Sequence, residues 1–197
     1  MANPSGPING QNRVVEGLVL TDGSVAFRRG RNAAAVAGAD DTAADQTMSW
    51  PPSVRVSQTP TVSTSPAYTA KDAVGGKLTF ASVVQADQLS GVLMGVTVLD
   101  ASQQRPSLEL VLFDRDFTES SDNAVFDPTD ADLANCIGVV AVNSWSDFND
   151  NSVATVSGIS LPIVLNGTSL YGQLLTRGTP TFVATSDITV MVTVLRD

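Results

Sequence analysis

From about residue 71 to the C-terminus, the chain is cut into short apolar runs at nearly even spacing, and this rhythm constrains the fold more than any other feature. The runs cover residues 77–81, 91–99, 107–113, 137–142, 153–157, 160–165, 169–176 and 188–195. They are rich in Val, Ile, Leu, Phe and Thr, which suit a pleated, half-buried surface. In the last run Val190, Val192 and Val194 alternate with Met191, Thr193 and Leu195, which gives one very apolar face and one mixed face. The breaks carry turn chemistry: Gly75-Gly76, Asn149-Asp150-Asn151, Asn166-Gly167 and Arg177-Gly178-Thr179-Pro180. Gly75 and Gly76 are expected to supply positive φ ahead of a strand. About eight such strands predict an all-β fold, an antiparallel β-sandwich of jelly-roll type.

One helix is expected within this pattern. Asp127 is placed to cap it, Pro128 to open it, and Asp130 and Asp132 to favour its first turn. It should run two turns or fewer.

The N-terminal third reads differently. Val14–Leu20 and Val25–Phe27 flank Thr21-Asp22-Gly23-Ser24, and an Asp-Gly pair between apolar stretches is a hairpin signal. Arg28-Arg29-Gly30-Arg31 follows, then an Ala/Gly/Asp stretch over 32–45 with no helical apolar stripe. Trp50-Pro51-Pro52 and the Ser/Thr/Pro stretch 57–66 are extended, because residues before proline avoid the helical region. The expected organisation is an extended N-terminal arm, 1–66, and a sandwich body, 67–197.

Charge divides along the same line. The arm holds Arg13, Arg28, Arg29, Arg31 and Arg55 against Glu16, Asp22, Asp40, Asp41 and Asp45, and is neutral. The body holds six basic residues against fifteen acids and so carries the whole net charge of −9. An acidic body repels nucleic acid and anionic membrane, so neither is expected as a partner. Three arginines without an aromatic stacking platform do not restore a nucleic-acid site. The N-terminus lacks the basic start and apolar centre of a secretory signal, and no apolar run is long enough for a membrane-spanning helix.

Composition also narrows the chemistry. With no histidine in the chain, a Ser-His-Asp triad, a Cys-His pair and every histidine metal site are excluded. The single cysteine, Cys136, excludes an intramolecular disulfide and a cysteine zinc site, and its apolar neighbours predict a buried, inert thiol. The acids Asp114, Asp116, Glu119, Asp122, Asp127, Asp130 and Asp132 invite a calcium reading, but the ordered EF-hand pattern is absent. A solvated loop with a capped helix accounts for them. The pairs Asp114/Asp116 and Asp147/Asp150 would need a cleft, with carboxyls about 5–9.5 Å apart, to hydrolyse a glycoside, and the sequence shows none. No enzymatic activity and no cofactor are expected.

The remaining candidates concern surfaces. Arg28, Arg29 and Arg31 either dock on an acidic patch of a partner or form an ordinary solvated loop. Trp145 and Phe148 lie together in a polar stretch, as an interface pair or as a loop packed on the core. Arg177, at a strand tip, either reaches a neighbouring subunit or braces its turn. Asn166-Gly167-Thr168 matches a glycosylation acceptor, which has no consequence without a secretory signal.

Four phrases carry a resemblance: Tyr68-Thr69-Ala70-Lys71-Asp72-Ala73-Val74-Gly75-Gly76, Leu110-Val111-Leu112-Phe113-Asp114, Asp130-Ala131-Asp132-Leu133 and Leu170-Tyr171-Gly172-Gln173-Leu174-Leu175-Thr176-Arg177-Gly178. In these, residues 59–197 resemble structural proteins of tailed-phage virions, including head decoration (cement) proteins. The resemblance implies a non-enzymatic protein on the phage head surface, a homotrimer bound to the major capsid protein, its arm clamping neighbours. A tail or fibre component with a glycan- or receptor-binding surface is the other reading, since jelly rolls host both.

Overall fold

The computed structural model describes residues 17–19, 25–27 and 52–197. Met1–Thr47 and Met48–Asp197 are two compact units. In the first, β1 (Gly17–Val19) pairs antiparallel with β2 (Val25–Phe27), with Val19 opposite Val25. These are the strands that the Asp-Gly signal predicts. The turn between them, Arg28, Arg29 and Arg31, and the rest of the expected arm before residue 52 lie outside the described residues.

The second unit holds β3 (Ser53–Gln58), β4 (Ala73–Phe80), β5 (Ser90–Asp100), β6 (Leu108–Phe113), α1 (Asp130–Leu133), β7 (Cys136–Val142), β8 (Trp145–Asp147), β9 (Ser152–Val164), β10 (Leu170–Thr176) and β11 (Ile188–Arg196). They form a four-stranded sheet, β4-β10-β6-β7, and a five-stranded sheet, β3-β11-β5-β9-β8, with every pairing antiparallel. The order has a simple origin. Pairing runs inward from both ends of the unit: β3 with β11, β4 with β10, β5 with β9, and β6 with β7 at the tip. This is one long antiparallel hairpin. Rolling it up brings β11 against β5 and β10 against β6, which makes a jelly roll.

The core lies between the two sheets and follows the period of two that strands impose. Val190, Val192 and Val194 are buried while Met191, Thr193 and Leu195 are only half-buried, as the alternation predicts. Val192 sits opposite Val56 on one side and Val96 on the other. Leu108, Leu110 and Leu112 from β6 and Leu170 and Leu174 from β10 face them from the four-stranded sheet. The buried acids organise turns. Asp100 accepts from the backbone N–H groups of Ser102 and Arg105, Asp187 from those of Val183 and Ala184, and Asp72 from that of Thr69.

Several expectations need correction. The body reaches back beyond residue 67, because β3 completes the edge of the five-stranded sheet and Val62 is buried in the core. The runs 153–157 and 160–165 are one strand, β9, which passes through a bulge with Gly158 at φ 69° and Ser160 at φ 51°. Helix α1 starts later than expected. Its cap is Thr129, whose hydroxyl accepts from the Asp132 N–H, so Asp127 and Pro128 precede the helix. Of the glycine pair only Gly75 has positive φ, and both glycines lie inside β4 rather than before it. Cys136 is half-buried rather than buried, because it opens an edge strand at the rim of the sheet.

Candidate functional site

Residues 114–135, which connect β6 to β7, form the part of this fold that composition alone hides. The outer face of the four-stranded sheet presents Val111 and Phe113 from β6 and Leu175 from β10, and left bare it would expose a large apolar patch. The connection folds back over it. Phe117 stacks on Phe113 with ring centroids 4.1 Å apart, and Phe126, Tyr171 and Cys136 close a second, smaller core.

The connection then runs along the free edge of β4. Ala73 donates to the Ala124 carbonyl at 2.8 Å, Asn123 donates back to the Ala73 carbonyl at 2.9 Å, and Phe126 donates to the Lys71 carbonyl. Gln173, fully buried on the outer face of β10, ties the two together. Its amide donates to the carbonyls of Gly75 and Ser120 and its oxygen accepts from the Ser120 N–H.

The acids of this segment therefore have individual tasks. Asp122 accepts from the Tyr68 hydroxyl at 2.6 Å, the Ser63 hydroxyl at 2.5 Å and the Gly75 N–H at 2.5 Å. Burial, and then the bond to Asp122, raise the Tyr68 phenol well above its ordinary value. Asp116 pairs with Lys77 at 2.5 Å, and that bond holds its carboxyl below the usual carboxylate range. Glu119 accepts from the Lys77 N–H, and Asp114 forms a bidentate pair with Arg115. Among the described residues no group of acids and cysteines is arranged to hold a metal ion. The Asp114/Asp116 pair is tied up by cations, and Asp147 by Arg105 at 3.0 Å.

Beside this cover the sheet remains open. A hollow of about 340 Å³ lies between α1, β7 and the end of β10. Its floor is apolar, made by Val111, Phe126, Leu175 and Cys136, and its wall includes Leu133 and Val139, which are 45% and 55% exposed. Asp127 stands on the rim, and Asp130 and Asp132 lie in the first turn of α1, the helix whose Leu133 lines the hollow. Arg177 is also on the rim. Its guanidinium holds Glu109 at 2.6 Å, and its backbone N–H donates to the Ser107 carbonyl at 2.7 Å.

The structure thus gives Arg177 one of its two expected roles, as a brace for its turn, and places it on the boundary of a surface hollow. Trp145 and Phe148 are not brought together, and the described residues show no aromatic pair between them. Trp145 opens β8 rather than lying in a loop, and is half-buried on the core with its indole N–H donating to the Pro106 carbonyl at 3.0 Å. Phe148 is 59% exposed in the turn before β9. Leu133 and Val139 escaped sequence reasoning, since an isolated Leu in an acidic turn and a Val within an apolar strand both look like core. The one usable signal was Phe117 and Phe126, two aromatics in an otherwise acidic connection.

A smaller hollow of about 230 Å³ is lined by Asp114, Arg115, Asn166, Thr168, Ser169 and Tyr171.

No protein-family model matches the chain. No curated protein matches it. Among solved structures it is similar to a chain of "Israeli acute paralysis virus heated to 63 degree - full particle", at 12% identity and a TM-score of 0.30, covering 98% of this chain and 93% of that one.

Proposed function

We propose that this chain is a non-enzymatic structural protein of a virus particle. In the finer reading it is a decoration protein on the outer head surface of a tailed phage, a homotrimer bound to the major capsid protein. The observation that carries the reading is the apolar hollow beside the uncharged edge strand β7, a surface shaped to receive another chain rather than a small substrate. The acidic body, the jelly roll and the phrase resemblance to virion proteins agree with it. Several weak contacts joined by geometry would stabilise a shell without any single strong site. Cryo-electron microscopy of the intact particle tests this. Density for the chain over the head lattice at three-fold or pseudo-three-fold positions is the expected result, and density confined to the tail would overturn the decoration reading.

A second reading, a tail or fibre module that binds glycans, is favoured by the smaller hollow. There Tyr171 lies beside Asn166, Thr168 and Ser169, whose side chains make no hydrogen bond among the described residues. Binding on a glycan array that is lost in Tyr171→Ala would move the conclusion to that class.

A further inference from the structure

The sandwich has four sheet edges, and three are protected by devices that prevent uncontrolled pairing. β4 is covered by the 119–126 segment, as its hydrogen bonds show. β8 is only three residues long and ends at Asp147, which pairs with Arg105. β3 follows Pro52 and carries Arg55. β7 has none of these. Its sequence, Cys136-Ile137-Gly138-Val139-Val140-Ala141-Val142, contains neither charge nor proline. Apart from its ladder with β6 and a 3.7 Å contact from the Cys136 thiol to the Gly138 carbonyl, its backbone takes no partner among the described residues.

The surroundings specify what would suit this edge. An apolar floor calls for an apolar segment. Asp127, Asp130 and Asp132 form no ion pair among the described residues, and the nearby Arg177 is committed to Glu109. The segment should therefore be flanked by cations. It should also be extended, since a free edge binds by main-chain pairing.

One stretch of this sequence has all three properties. Val25-Ala26-Phe27 is already a strand, β2, and Arg28, Arg29 and Arg31 follow it with no acid between Asp22 and Asp40. We propose that residues 25–31 of one copy dock along β7 and the acidic-rimmed hollow of a second copy. This inference rests on the proposed reading of the hollow beside β7 as a surface that receives another chain, and names the segment that occupies it. A head-to-tail contact of this kind closes into a ring when its rotation permits, as a trimer requires.

The test is sedimentation of the full chain at micromolar concentration, in salt from about 0.05 to about 0.5 M. Association that weakens with salt is expected. Arg28→Glu/Arg29→Glu/Arg31→Glu and Asp127→Lys/Asp130→Lys should each weaken it by about tenfold or more, and an equimolar mixture of the two should restore it. Val139→Lys should weaken it too while keeping a cooperative melt, because that side chain faces solvent.

A monomeric parent, or a mixture that fails to regain association, overturns the proposal. So does loss in Val139→Lys without loss in the charge-reversed proteins, which would indicate edge-to-edge pairing of two β7 strands instead. Co-sedimentation with undecorated heads separates this inference from the one beneath it. Self-association retained with head binding lost leaves arm docking standing and ends the decoration reading. Head binding retained with self-association lost in the parent does the reverse.

Discussion

Replacing Gln173 by Leu tests whether the β6–β7 connection is fastened to the sheet by one side chain. Leucine fills a similar volume but removes the amide donor that serves the Gly75 and Ser120 carbonyls and the acceptor that serves the Ser120 N–H. The two ends differ in their access to water. Gly75 is buried, so its carbonyl loses a bond that solvent does not replace, a cost of about 1–3 kcal/mol. Ser120 is half-buried and regains part of its hydration, so its two groups together add roughly 1 kcal/mol. The sum, about 2–4 kcal/mol, lowers Tm by roughly 5–15 °C in a protein of this size. Differential scanning calorimetry measures that shift. Hydrogen exchange locates it, with protection lost first at the amides of Asn123 and Phe126 that pair beside β4. A Tm within about 2 °C of the parent would refute the reasoning. It would mean that Phe117 and Phe126 hold the connection by packing alone, with the glutamine incidental.

Four further outcomes follow from the same geometry. Gly75→Ala should cost about 2 kcal/mol or more by urea denaturation, since the backbone there has φ 72° and the new Cβ would lie 2.4 Å from the Pro60 Cβ. Tyr68 has a phenol raised in the folded state, so its contribution to stability is complete below its unfolded value of about 10 and is lost as pH rises above that. Tyrosinate absorbance of a Tyr171→Phe protein, in which Tyr68 is the sole tyrosine, should therefore rise together with alkaline unfolding rather than before it. Millimolar calcium should move Tm by less than about 1 °C, because the acids at 114, 116, 119 and 122 are each held by donors of the protein itself. Deleting residues 1–50 should leave a cooperative thermal transition, since Met48–Asp197 is a compact unit, while weakening attachment to the particle in a co-sedimentation assay.

The strands of the sandwich were legible because a two-sheet core enforces alternation, and Val190, Val192 and Val194 display it without interference. The alternation was equally present in Ser53-Val54-Arg55-Val56-Ser57-Gln58. There it was masked by flanking prolines that read as a linker, although Pro52 and Pro60 only bound the strand. β9 was divided because Gly158 marks a bulge and a strand end with the same residue type. The outer cover of the four-stranded sheet was hidden for a different reason. Strand periodicity predicts which residues face the core, but not that a distant connection will bury the opposite face. Gln173 illustrates the point: a polar residue at an outward position of β10 predicts solvent, and it is fully buried. Its burial depends on Ser120, more than fifty residues earlier, and no local pattern contains that information.

The charge pattern acquires a physical sense once the four edges are compared. An acidic protein keeps its copies apart through self-repulsion, and net charge is the least specific protection against edge pairing. Here the specific devices guard β4, β8 and β3, while β7 is left to the general one. The negative charge of the body repels an acidic strand from β7, leaves a neutral one to backbone pairing alone, and attracts a basic one. The acids beside the hollow thus act as a filter as well as a deterrent, selecting an occupant by charge where the edge itself selects only for extended backbone. A lysine at Val139 and the loss of Asp127 and Asp130 should consequently have opposite side effects. The lysine protects the edge from every strand, whereas removal of the acids admits strands that the parent excludes. Aggregation on heating should fall in Val139→Lys and rise in Asp127→Asn/Asp130→Asn, as light scattering would register. Equal aggregation in the two variants would mean that β7 is not the edge through which these molecules meet.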